Sequence, residues 1–129
     1  MSRLWLDAED LLAIAVDHLG PEARVRDGGI LWAAAQRPQA LLGGRSVYPS
    51  AVEQAAAMLH AIVAWQPMES WNAGLAWVAV RVHLRSRALI LDMPAGDRLR
   101  LTDQIMLRSG ESAAGIARRM APHVREWGS

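Results

Sequence analysis

The chain has 129 residues, 52% of them apolar and 21% charged, with a formal net charge of +1 and no cysteine. That length suits a single domain, taken as 1–129, and the apolar share can fill a core, which excludes general disorder; the lack of cysteine excludes disulfides, a thiolate zinc site and a cysteine nucleophile. A balance this close to zero argues against specific nucleic-acid binding, and every apolar run falls short of the roughly 18–20 residues of a membrane span.

Along the chain, Met1 to Asp7 turns acidic too early for a signal peptide, so a soluble cytoplasmic domain with no membrane role is expected. Asp7 caps a helix running through Leu11, Leu12, Ile14, Ala15, Val16 and Leu19, stopped by Gly20-Pro21. A short helix covers Gly29 to Gln36, with Ile30, Leu31 and Ala34 inward. Leu41 to Pro49 reads as a loop, since Gly43-Gly44 and Pro49 break any period. Ser50 and Glu53 have capping-box spacing ahead of a helix whose stripe is Ala55, Met58, Leu59, Ile62 and Val63, and Pro67 stops it. The next helix, about Asn72 to Arg87, has Leu75, Val78, Val82 and Trp71 as its inward set. Ala76, Trp77, Val80 and Leu84 widen that surface, so this helix is expected to be central. Leu89-Ile90-Leu91 reads as extended. Helices from about Gly96 to Leu107 and from Ser112 to Ala121 complete an all-α bundle of six helices.

Familiar motifs for phosphate loops, dinucleotides, zinc proteases, serine hydrolases and calcium loops are missing. His18, His60, His83 and His123 lie far apart. His60, near the stripe of its helix, reads as a core or rim histidine with a bonded partner, or alternatively as a catalytic or metal-binding group. Arg81, Arg85 and Arg87 fall late on one helix and Arg118 and Arg119 late on another, where the helix dipole favours cations. They form either a solvated face or a docking surface for an acidic partner. Trp5, Trp65 and Trp127 are candidates for a contact in a homo-oligomer.

The segment Gln66 to Trp77 feeds a helix N-terminus between two apolar helices. Such a place suits an anion, although Ser70 or Asn72 could simply be the helix cap. A wider pattern bears on this segment. Arg26-Asp27-Gly28-Gly29-Ile30-Leu31, then Arg37-Pro38-Gln39, Gly43-Gly44 and Tyr48-Pro49 follow one another in order. Glu53 to Ile62 with Met58-Leu59-His60, Asp92-Met93-Pro94 and Ile116-Ala117-Arg118-Arg119-Met120 complete the set. This ordered set resembles the Doc (death on curing) branch of the Fic/Doc superfamily, over Val25 to about Met120.

The resemblance implies a Fic/Doc-like helical bundle and places the family's active motif, H-x-F-x-D-x-N-K-R, on Gln66 to Gly74. Gln66 stands where the family has its general base, Met68 replaces the Phe, and Ser70 replaces the carboxylate that resembles a magnesium ligand. Trp71 replaces a small residue, and Ala73 and Gly74 replace the two phosphate-holding cations. Pro67, which matches the family's H-P-F form of the motif, and Asn72 alone are kept, so Asn72 is the one remaining candidate for cofactor contact. A glutamine accepts no proton near neutral pH, and a serine is a weak ligand for Mg²⁺. Without cations, phosphoryl transfer loses its main stabilisation. The expected function is therefore a non-catalytic protein-binding module of the toxin family, possible in a toxin–antitoxin pair, with no cofactor. The family's toxins are held by an antitoxin whose C-terminal segment lies in a groove, which makes such a segment the implied partner. The alternative is a Mg-nucleotide-dependent transferase acting on a protein, with Glu69 as metal ligand and His60 as base.

Overall fold

The computed structural model describes residues 5–108 and 110–128. Most of the opening stretch used to exclude a signal peptide, Met1 to Leu4, lies outside the described residues. Among the described residues six α-helices carry the fold: α1 (Ala8–Leu19), α2 (Gly28–Gln36), α3 (Ala51–Trp65), α4 (Asn72–Ser86), α5 (Ala95–Leu107) and α6 (Ala113–Met120). The bounds follow local chemistry. Asp7 and Asp10 form a reciprocal capping box on α1, Asp27 caps α2 through the Ile30 N–H, and Ser112 caps α6 through the Gly115 N–H. Ser50 caps α3 through the Glu53 N–H, but the Glu53 carboxylate accepts from the Ser50 hydroxyl at 2.8 Å rather than from backbone.

Two features extend the sequence reading. The stretch read as a loop contains a two-residue hairpin, β1 (Leu41–Leu42) paired with β2 (Arg45–Ser46). Gly43 and Gly44 both have positive φ (58° and 78°), the requirement of a tight hairpin turn of the type that matches strand twist. Leu89–Leu91, expected to be extended, is β3. It pairs antiparallel with β4 (Val124–Glu126), which the sequence reading did not include.

The core sits on α3 rather than α4. Gln54 through Val63 are all buried, and α2, α4, α5 and α6 pack around them. Four alanines, Ala55, Ala56, Ala57 and Ala61, are wholly enclosed and let these neighbours approach closely. On α4 the buried set is Asn72, Leu75, Ala76, Trp77, Ala79, Val80, His83 and Leu84. Val82, expected inward, is 40% exposed, and Val78 is only half-buried. Except for Trp77, the buried residues repeat at spacings of three and four, one continuous helical stripe. That stripe includes two polar residues and two alanines, so hydrophobicity alone set its phase one step off. No helix among the described residues is long and apolar enough to cross a membrane.

Candidate functional site

Residues 66–74 join the end of α3 to the first turn of α4. Gln66 ends α3 in the left-handed conformation (φ 52°), and Trp71 precedes α4 in the same conformation (φ 64°). Such backbone is uncommon outside glycine and needs support from its surroundings. Asn72 supplies it from inside the loop. Its side chain is buried, accepts from the Met68 N–H at 2.9 Å, and donates to Met68 O at 2.9 Å and to Gln66 Oε1 at 3.1 Å. Gln66 Nε2 in turn donates to Val63 O at 2.6 Å. Asn72 is thus the first residue of α4 with its side chain turned back into the loop. The cap position belongs to Trp71, which makes no side-chain cap bond.

A second support comes from the segment before α2. Arg26 Nε donates to Gln66 O and its terminal amine to Trp65 O, both at 2.6 Å, which caps the end of α3. The Arg26 and Asp27 N–H groups both donate to Pro67 O, Glu69 N–H donates to Arg24 O at 2.9 Å, and Val25 bridges Met68. Met68 is fully buried as a result. Glu69 and Ser70 are exposed at the loop surface, and Ala73 and Gly74 are half-buried. Among the described residues no group of three His, Asp or Glu side chains gathers as a metal site.

Trp71 decides the shape of the site. Its indole stacks on His18 with centroids 4.4 Å apart and folds over the first turn of α4. A Cβ built on Gly74 would lie 2.1 Å from Trp71 Nε1. The lack of a side chain at Gly74 therefore makes room for the indole, and the two positions are coupled.

The other motif residues sort into scaffold. Arg37 Nε donates to the Tyr48 hydroxyl at 3.1 Å, and one terminal amine donates to Ala57 O at 3.0 Å and lies 2.7 Å from His60 Nδ1. A guanidinium only donates, so Nδ1 of the buried His60 holds a lone pair rather than a proton. Trp65 packs edge-on to the same ring, and the Arg37 guanidinium lies 5.3 Å from the Trp65 ring centroid. Asp92 pairs with Arg125 at 2.8 Å, while Ile116, Ala117 and Met120 bury against the core. On α4, buried His83 donates from Nε2 to Gln54 Oε1 at 2.9 Å. Burial, and then the nearby Arg87 charge, push its pKa down to about 4. The segment 66–74 and His60 thus sit at the same end of α3, joined through Trp65, and Nδ1 of His60 is engaged by Arg37.

The geometry meets a sequence similarity. The chain is 39% identical over 75 residues to Toxin Doc of Mycolicibacterium smegmatis, covering 58% of each protein. That similarity supports the Doc branch of the Fic/Doc superfamily. The match spans less than two thirds of the Doc toxin's length. No family model and no solved structure matches the chain. The residues that sequence reading assigned to the Doc resemblance outside 66–74 are largely those that cap, grip and bury. Arg26 belongs to the residues that carry the resemblance, which assigns it no role. Its positive charge, 39 and 40 residues before its two acceptors, gave no sequence signal of the grip on α3.

Proposed function

We propose that this Doc-like toxin-family chain keeps the family scaffold, carries a degraded H-x-F-x-D-x-N-K-R motif on Gln66 to Gly74, and acts by binding another protein without modifying it. The observation that carries this reading is the Trp71 indole lying on the first turn of α4 at Gly74. A helix N-terminus holds phosphate through free N–H groups that the ligand can approach closely. Here the Trp71 indole takes the space beside Gly74 in that turn, and Asn72 is engaged on three sides by the loop itself.

A magnesium nucleotide fits these residues poorly. Gln66, at the position of the base, is an amide whose nitrogen is bonded to Val63 O, and amides do not take protons at neutral pH. Ser70 offers one uncharged oxygen, and hard Mg²⁺ favours carboxylates and phosphates. Ala73 and Gly74 offer no cation to the charge of a transferring phosphoryl group. For the rebuilt-transferase alternative, Glu69 is an exposed carboxylate outside any group of three metal-ligating side chains among the described residues, and Nδ1 of His60 is engaged by Arg37. The partner proposed is a protein segment of the antitoxin kind that the family resemblance implies, met in the cytoplasm.

Thermal unfolding with Mg²⁺ and each common nucleoside triphosphate tests this reading. A ligand at 100 times its dissociation constant stabilises by ~2.7 kcal/mol, which moves the midpoint by several degrees in a domain of this size. No shift is expected with any nucleotide. A shift with one of them would restore the transferase.

A further inference from the structure

The far end of α4 is built differently from its beginning. Ala88, in the left-handed conformation (φ 60°), reverses the chain so that β3 packs beside the helix. β4 pairs with β3, and the Trp127 N–H donates to Ala88 O at 2.8 Å, which fixes Trp127 at this end. Arg81 and Arg85, one helical turn apart, then line a cavity of about 260 Å³ together with Ile90 and Leu91. The Arg85 guanidinium lies 3.7 Å from the Trp127 ring centroid. A guanidinium stacked in this way has one face covered and keeps its in-plane N–H donors for a planar anion.

Those donors are available. Neither the Arg81 nor the Arg85 side chain makes a hydrogen bond or ion pair among the described residues, and no acidic side chain lines the cavity. The neighbouring cations are engaged elsewhere: Arg125 pairs with Asp92, and the Arg87 guanidinium lies 4.6 Å from the Trp5 ring centroid. The basic patch is thus confined to two residues beside an apolar wall.

We propose that this cavity docks an acidic peptide segment, with a carboxylate between Arg81 and Arg85 and a neighbouring apolar side chain against Ile90 and Leu91. Its size selects the ligand. Pockets for whole small molecules hold roughly 300–1,000 Å³, whereas about 260 Å³ takes one or two side chains. Two cations on a chain of net charge +1 offer no extended track for a nucleic-acid backbone. The apolar wall distinguishes the site from a bare anion site. The proposal does not depend on whether the loop at 66–74 binds nucleotide.

Fluorescence anisotropy with a labelled peptide alternating Glu and Leu tests it, against Gln–Leu and Glu–Ser peptides of the same length. The Glu–Leu peptide is expected to bind, and both controls to bind at least about tenfold more weakly. Arg81→Gln and Arg85→Gln should each lower its affinity by about tenfold or more, the scale of a lost hydrogen bond to a charged group. Trp127→Ala should weaken binding with both cations retained. Arg118→Gln, exposed on α6 and outside the cavity, should leave it unchanged. Equal binding of the Glu–Ser peptide would make this a bare anion site and overturn the proposal. So would no binding at millimolar peptide by the folded protein, or affinity indifferent to Arg81 and Arg85.

Discussion

The two ends of α4 handle polar groups in opposite ways. At its start, Asn72 makes three bonds within its own loop and the Trp71 indole fills the space where a side chain at Gly74 would begin. At its end, two arginines face a cavity with their donors unengaged, and Trp127 steadies one of them without covering its edge. An aromatic ring takes the space beside Gly74 at one end and stacks on Arg85 at the other. The lesson is that a helix N-terminus is an anion site only when its N–H groups can be reached, and that charge alone does not locate a docking surface until its other partners are counted.

The largest way to break this contrast is Asn72→Ala. The change leaves the buried Met68 N–H and C=O without their side-chain partners and releases Gln66 and Trp71 from their left-handed turns. The expected loss is about 3 kcal/mol in denaturant unfolding, in line with unpaired buried polar groups. A loss below 1 kcal/mol would mean the loop is held chiefly by Arg26.

A smaller effect concerns the inward face of the far end of α4. His83 is buried neutral with its pKa lowered to about 4. The unfolded chain takes up a proton near pH 6.5 while the folded chain does not, so this residue's contribution is intact above pH 6.5 and lost as pH falls toward 4. The loss should be on the order of 2 kcal/mol after allowance for solvent screening. His83→Gln should flatten that part of the difference in stability between pH 7 and pH 4. An unchanged pH profile in the variant would contradict the assignment.

Gly74→Ala probes the closed end directly. In the native chain it should cost about 1 kcal/mol, since the new methyl displaces the half-buried indole. In a Trp71→Gly background the same change should stabilise by about 1 kcal/mol, the usual gain of alanine over glycine within a helix. Additive effects would show that the two positions do not touch. Arg81→Gln should be the mildest change, within about 0.5 kcal/mol, because an exposed and unbonded cation contributes little to folding.

Much of this architecture was legible in the sequence. Asp7, Ser50 and Ser112 announced three helix starts, and Gly20-Pro21 and Pro67 two ends. The ordered motifs pointed to the Doc branch. Less legible was what depends on left-handed residues that are not glycine. Nothing in the local sequence says that Trp71 adopts that conformation, yet the adopted turn is what brings its indole onto Gly74, three residues on. β4 is three residues long and has no period to read. The stripe of α4 was misphased at Val82 because Asn72 and His83, both polar, belong to its buried face. Arg81, Arg85 and Arg87 were visible only as one group, and the separation of the first two from Arg87 appears once Trp5 and Trp127 are in place.

The most direct test of the closed loop is calorimetric titration of Mg-ATP and Mg-GTP into the native chain and into a folded variant carrying Gln66→His, Ser70→Asp, Trp71→Gly, Ala73→Lys and Gly74→Arg together. Trp71→Gly belongs in the set because any Cβ at position 74 meets the indole. The account predicts heat of binding in the variant and none in the native chain. Binding by the native chain, or none by the folded variant, would contradict it.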